Sequence, residues 1–312
     1  MRVLLALGGN AMTRADGRVR VEDQIAAGRV AMAAVAELLT RPDPVEIVIT
    51  HGNGPQVGNL LVKNELAAAV VPPVPLDWCG AQTQATLGNV LLNALDDALS
   101  ARAAARPTAA LVTRTLVDPS DPGFSEPSKP IGRYVGADEA ARMIEHGELW
   151  QDRGEKGWRR MVASPEPLEI LEAPAVLALL EAGYVVVAAG GGGIPTVRDE
   201  DGYRGVEAVI DKDLSAALLA RTVDADVLVI ATDVPHAVHG FDTPEARPIE
   251  RVDVSTMTAY AADGHFAGGS MGPKVEAALR FVRSSGRPAV ITDLDHILGA
   301  VAGSAGTVVV PD

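Results

Sequence analysis

The sequence contains a single cysteine, Cys79, which excludes an intramolecular disulfide and a zinc site built from several thiolates. No apolar run approaches the ~20 residues that span a bilayer. The opening MRVLLALGGN breaks at Gly8 before a secretory apolar segment can form. These absences predict a soluble, cytoplasmic protein. Basic residues are also short: 27 Lys and Arg face 41 Asp and Glu, a net charge of −14. Such a surface argues against broad nucleic-acid binding and against an anionic membrane. An anionic ligand would need a local pocket where backbone N–H groups and a few cations override the acidic field. Familiar signatures are missing too: no GxxxxGK[ST] loop, no GxGxxG with its downstream acid, and no serine nucleophile elbow.

What is present is a 312-residue chain, 47% hydrophobic, long enough for a substantial core. Short β-branched runs alternate with Ala- and Leu-rich helical stretches. Strands are predicted at 2–7, 46–50, 109–117, 184–189, 226–232, 288–293 and 307–311. Most are apolar throughout, as strands buried on both faces are. Helices are predicted near 22–40, 54–69, 80–105, 173–182, 213–223 and 271–285. The alternation implies one α/β domain over residues 1–312, with a mostly parallel central sheet sandwiched by helices. Residues from about 118 to 172 break the rhythm with proline, glycine and charge, and read as an inserted, protruding lid subdomain.

Lysine is scarce: of the 27 basic residues only five are lysines, at 63, 129, 156, 212 and 274. In so arginine-rich a chain a lysine marks a place that needs a compact ammonium. Lys212, in EAVIDKDLSAALLA, sits at a predicted helix start with Asp211 or Asp213 as N-cap. Lys274, in GGSMGPKVEAA, sits near the start of another. A helix N-terminus carries partial positive charge, so a cation there is unfavourable unless an anion binds beside it. Lys129, between prolines in EPSKPIG, belongs to the lid, whereas Lys63 and Lys156 read as surface residues.

Three strand ends run into glycine: GGNA (8–11), THGNGPQVG (50–58) and AAGGGGIP (188–195). In a parallel sheet these ends share one edge, where ligands bind. Glycine lets backbone amides approach an anion closely. Gly-rich cradles with two or three lysines suit phosphoryl transfer, which needs positioning and charge neutralisation more than covalent help. Asp211 or Asp213 would orient a lysine or a metal. His51 reads as a structural hydrogen-bonding residue with a minor place at the site, and Asp233 as a nucleotide contact or a turn cap.

The motifs ALGGNA, THGNGPQVG, PLDWCGAQTQ, KPIG, KGWRRMVASPEP, GGGGIP, EAVIDKD and GSMGPKVEAA run in order from residue 5 to about 280. On them the chain resembles the carbamate kinases of the amino acid kinase superfamily. The resemblance implies that fold, and reversible phosphoryl transfer between ATP and carbamate, run from ADP and carbamoyl phosphate to ATP in arginine catabolism. It implies Mg²⁺ carried by the nucleotide rather than by protein ligands, and a homodimer. Lys212 and Lys274 would neutralise the phosphates, Asp213 would organise the lysines, and Lys129 would reach in from the lid. Gly8, Gly9, Asn10, Gly52, Asn53, Gly54, Gly191 and Gly192 would hold carbamate and the moving phosphoryl group. Thr232, Asp233, Val234, Met271 and Gly272 would border the nucleotide. Many superfamily relatives carry a lysine in the first strand where this chain has Ala6, and KPIGRY carries Arg133 where proline is usual. Two alternatives stay open: a kinase of the same fold for another acid, and a nucleotide-responsive binding protein with little turnover.

Overall fold

The computed structural model describes residues 1–9, 20–266 and 271–312. β1 (Arg2–Leu7), α1 (Val21–Leu39) and β2 (Glu46–His51) open the chain, followed by α2 (Gly54–Ala67) and α3 (Leu76–Ser100). β3 (Thr108–Ala110) and β4 (Arg114–Leu116) lead to α4 (Pro122–Ser125), β5 (Lys129–Val135), α5 (Ala137–Glu145), β6 (Leu149–Asp152) and β7 (Trp158–Val162). β8 (Glu169–Ile170), α6 (Ala173–Glu181) and β9 (Val185–Val187) return to the core. A hairpin of β10 (Ile194–Asp199) and β11 (Gly202–Gly205) precedes α7 (Lys212–Thr222) and β12 (Val227–Thr232). The chain ends through β13 (Val238–His239), β14 (Arg247–Pro248), β15 (Arg251–Asp253), α8 (Val254–Ala262), α9 (Met271–Ser285), β16 (Ala289–Asp293), α10 (Ile297–Val301) and β17 (Thr307–Val310).

The central sheet has eight strands in the order β15-β17-β16-β12-β1-β2-β9-β3. Its pairs are parallel except β16 with β17. β1 explains why the strands are apolar throughout. Its Leu4 and Ala6 enter a core with Val176 of α6, Leu219 of α7 and Phe281 of α9. Its Val3, Leu5 and Leu7 enter another with Met32 of α1, Leu91 of α3 and Ile297 of α10. Both faces are covered, so neither can be polar. β1 lies at the middle of the order, with β2 on one side and β12 on the other. Such a switch point opens a crevice beyond the carboxyl ends of the strands.

The predicted strand 109–117 is two strands in different sheets: β3 ends the central sheet, while β4 joins a second sheet, β11-β10-β4-β8. The break is enforced from outside. The Gln84 side chain accepts the Thr113 N–H at 2.8 Å and donates to the Thr113 carbonyl at 3.1 Å, and Thr113 Oγ1 accepts from the Ala189 N–H at 2.6 Å. The helix predicted over 80–105 begins at Leu76, directly after Pro75, and stops at Ser100; Ala103 beyond it has φ +51°. The β10–β11 hairpin, β15 and α8 are additional to the predicted elements.

Within residues 118–172, β5, β7 and β6 form a three-stranded antiparallel sheet. α5 closes it around Val135, Ala140 and Trp150. Its root packs on the body through Ile131 and Val162 against Val57 and Leu61 of α2 and Leu76 and Cys79 of α3.

Candidate active site

The turns after β1, β2 and β9 come together on one edge of the sheet. Gly52 is where two of them touch, because a Cβ there would lie 2.6 Å from the Gly9 nitrogen. Gly191, at φ +67°, faces Asn53, and a Cβ there would overlap the Asn53 amide. Not every amide in these turns is free to face a ligand. Gly8 N–H donates to Ala231 O at 2.7 Å, Gly52 N–H to Leu7 O at 2.8 Å and Gly192 N–H to Ala189 O at 3.0 Å. α2 supplies donors instead. Its N-cap, Asn53, makes no side-chain cap and donates to Thr83 Oγ1 at 2.8 Å. The first-turn amides of α2 are therefore left without a capping side chain at a helix N-terminus, where anions are favoured.

α7 begins at Lys212, whose Cδ lies against Gly52, and its N-cap is Asp211, not Asp213. Asp211 Oδ1 accepts from the backbone N–H of Asp213 at 2.9 Å and of Leu214 at 3.3 Å. Its other oxygen receives Lys129 Nζ at 2.6 Å. Burial alone would raise the Asp211 pKa, but the ammonium groups of Lys129 and Lys212 outweigh it and hold the carboxyl below its usual range. Asp213 is buried and bridges two more lysines: Lys212 Nζ at 2.6 Å and Lys274 Nζ at 3.3 Å. Lys274 is only 4% exposed. Burial, then repulsion from Lys212, push its pKa below the ordinary lysine value, with Asp213 pulling the other way. Three lysines thus converge on two aspartates, a positive surplus inside an acidic protein.

These groups line a cleft of about 840 Å³ that also includes Gly8, Gly9, Gly52, Asn53, Gly54, Gly191 and Thr232. That volume is in the range of small-molecule sites. Asp233, Val234, Met271, Gly272 and Gly192 do not line it. Asp233 accepts from the Thr232 hydroxyl at 2.9 Å. Gly192 sits behind the wall, its carbonyl accepting from Thr115 Oγ1 at 2.7 Å and Ser215 Oγ at 2.8 Å. Asn10, with Gly268 and Gly269 of the GGSMGPK stretch, lies outside the described residues.

Four charged or aromatic lining residues were not legible as site residues in the sequence: Tyr134, Arg153, Lys156 and Arg159, all from the lid. Lys156, read as a surface lysine, is exposed and also lines the cleft. For Arg159 the signal was the cluster KGWRR within the segment read as a lid, whereas Tyr134 and Arg153 lie outside that cluster. Arg133, the added cation, is directed elsewhere and pairs with Glu65 and Glu139.

His51, the last residue of β2, is fully buried, and its ring fills the place a Cβ on Gly190 would need. Burial lowers its pKa from 6.5 to about 4, against a smaller opposing contribution from the Gly52 carbonyl. The unfolded chain therefore takes up this proton near pH 6.5 and the folded chain only near pH 4. Stability is unaffected above that window and falls as pH drops through it, by up to about 3 kcal/mol. A His51→Gln variant should show a shallower loss of melting temperature between pH 6.5 and 4 than the parent.

The sequence profile of the amino acid kinase family matches residues 1–293, and the chain belongs to that family. Within it, the chain is 43% identical to the carbamate kinase of Trichomonas vaginalis over 100% of both chains. It is 42% identical to the carbamate kinase of Thermococcus kodakarensis over 99% of both. Its fold superposes on carbamate kinase from Giardia lamblia bound to AMP-PNP with a TM-score of 0.92, at 38% identity, over 100% of this chain and 98% of that one.

Proposed function

We propose that the protein is a carbamate kinase, catalysing ATP + carbamate ⇌ ADP + carbamoyl phosphate. The observation that carries this reading at the site is the Lys212–Asp213–Lys274 bridge facing the uncapped end of α2 across one cleft. The two sides of β1 divide the work. Lys274 and Thr232, toward β12, take the nucleotide phosphates, and Lys212, which lies against Gly52, stands between them and the acid substrate. Gly9, Asn53 and the first turn of α2, on the β2 side, take the acid substrate and the moving phosphoryl group.

In the forward direction a carboxylate oxygen of carbamate attacks the γ-phosphorus, and the bond from that phosphorus to the β-bridging oxygen breaks. The electron pair stays with ADP. Lys212 and Lys274 meet charge as it builds on the leaving oxygen, and α2 amides meet it on the equatorial oxygens. Lys129, tethered to Asp211, brings the lid root to the same point. Closure would exclude water from a labile acyl phosphate. In reverse, the same contacts draw the phosphoryl group onto ADP.

The donor set suits a metal held mainly by phosphate oxygens. Among the described residues no group of three or more His, Cys, Asp or Glu forms a cage. The two cleft carboxylates, Asp211 and Asp213, are engaged by lysines. Mg²⁺ bound to the nucleotide would neutralise part of the phosphate charge. The same reading extends to a cytoplasmic homodimer of arginine catabolism working toward ATP. The buried lone cysteine agrees with a reducing compartment. Exposed Trp78 and Tyr203, which border one shallow pocket, offer apolar surface for a second copy.

Lys212→Ala should lower kcat by about 10²-fold or more, the size of a lost transition-state charge contact. ATP formation from ADP, Mg²⁺ and fresh carbamoyl phosphate, coupled to hexokinase, reads it. An unchanged kcat would remove Lys212 from the mechanism.

A further inference from the structure

The lid contributes more positive charge to the cleft than the phosphoryl-transfer account uses. Arg153, Lys156 and Arg159 all line it, beside Lys129, Lys212 and Lys274. Lys129 is matched by Asp211, and Lys212 and Lys274 by Asp213. Among the described residues the lid trio has no carboxylate partner, in a chain where acids outnumber bases by 41 to 27. Charges left together in this way raise each other's cost unless an anion joins them.

Arg159 is held for that purpose. Its guanidinium carbon lies 5.0 Å from the Tyr134 ring centroid, and its Nη1 donates to the Tyr134 hydroxyl at 3.4 Å. Its Nε is shielded from solvent and has no hydrogen-bond partner. The pairing depends on a bulge in β5. Register shifts between Ile131 and Tyr134, around Gly132 at φ +69°. The bulge sends Arg133 to Glu65 and Glu139 while Tyr134 comes opposite Arg159. Stacking on a ring fixes the plane of the arginine fork, which suits the planar recognition of carboxylate or phosphate oxygens.

Position decides which substrate this fork meets. The lid sheet packs on α2, Ile131 and Val162 resting on Val57 and Leu61. The root of the sheet thus rests on α2, whose first turn takes the acid substrate, and Lys129 reaches from it to Asp211 at the start of α7.

We propose that Arg159, set by Tyr134 and flanked by Arg153 and Lys156, is the lid's receptor for the anionic head of the acid substrate, and that it governs selection of that substrate rather than of the nucleotide. This deepens the carbamate kinase reading and rests on it.

Steady-state kinetics of ATP formation test it in Arg159→Ala, Arg159→Lys and Tyr134→Leu. Arg159→Ala is expected to raise the KM for carbamoyl phosphate by about 10- to 100-fold, the loss of a charge-assisted hydrogen bond. The KM for ADP should stay within about 3-fold, well under one such contact. Arg159→Lys, which keeps the charge but not the fork, should fall between, and Tyr134→Leu should follow Arg159→Ala more weakly. A KM for carbamoyl phosphate that does not move, or a KM for ADP that rises in parallel, overturns the proposal. Failure of the parent protein to use carbamoyl phosphate would instead overturn the kinase reading. Calorimetric titration with inorganic phosphate then decides the subsite: weaker binding in Arg159→Ala supports it, and equal binding refutes it.

Discussion

Asp213→Asn is expected to lower kcat by about 10²- to 10³-fold, as removal of one preorganised charge contact does, and to lower the melting temperature of the ligand-free protein. Asp213 is the shared counter-ion of Lys212 and Lys274, and it is buried with Lys274. Taking one partner from a buried ion pair costs about 3–5 kcal/mol because the other charge is left uncompensated. The two lysines would then repel each other without a carboxylate between them. Lys274 already has a depressed pKa through burial and Lys212, and Asp213 is the first group opposing that depression. Without it the pKa falls further. A lysine that acts as a cation loses its effect as pH rises through its pKa, so the alkaline limb of the kcat/KM profile should move to lower pH. Saturating ATP should recover more melting temperature in the variant than in the parent, because triphosphate replaces the missing negative charge. A variant with the parent's alkaline limb and the parent's nucleotide-dependent stabilisation would show that Asp213 does not organise the lysines.

The second large effect is expected at Gly52. A Cβ there would lie 2.6 Å from Gly9 N, 2.9 Å from Gly9 Cα and 2.9 Å from Lys212 Cδ. Two of those atoms are backbone and cannot rotate away. Gly52→Ala must therefore part the turn after β1 from the turn after β2, and shift Lys212 with them. Overpacking of this kind costs about 1–3 kcal/mol. A displacement near 1 Å in a transfer site costs about 10²-fold in rate. Gly54 is the internal control for stability: nothing lies within 4 Å of a Cβ built on it, and it has no positive φ. Gly54→Ala should keep the parent's melting temperature, while Gly52→Ala loses both stability and kcat/KM. Equal behaviour of the two variants would mean that the close approach of the turns is not what positions the site.

Much of this was legible in the residues because the signals are local. Strands apolar on both faces call for helices on both faces, and β1 shows the result in its two cores. Lysines at helix starts call for an anion, and Lys212 and Lys274 do meet at one carboxylate. What the sequence hid is set by distant contacts. Nothing near residue 112 says that Gln84 will grip Thr113 and divide a continuous apolar run into β3 and β4. Nothing near Lys156 says that its turn will face the cleft, since that depends on how the lid sheet seats on α2. The choice between Asp211 and Asp213 as N-cap also needed geometry, because both stand one residue from Lys212. In the fold Asp211 caps the helix and holds Lys129 while Asp213 bridges two lysines.

The central claim is that this cleft transfers a phosphoryl group between carbamate and nucleotide. Its most direct measurement is the initial rate of ATP formation from ADP and Mg²⁺ with fresh carbamoyl phosphate, set against the same rate with acetyl phosphate. The account predicts rapid ATP formation with a clear preference, in kcat/KM, for carbamoyl phosphate. Nucleotide binding without ATP formation, or a preference for acetyl phosphate, would contradict it.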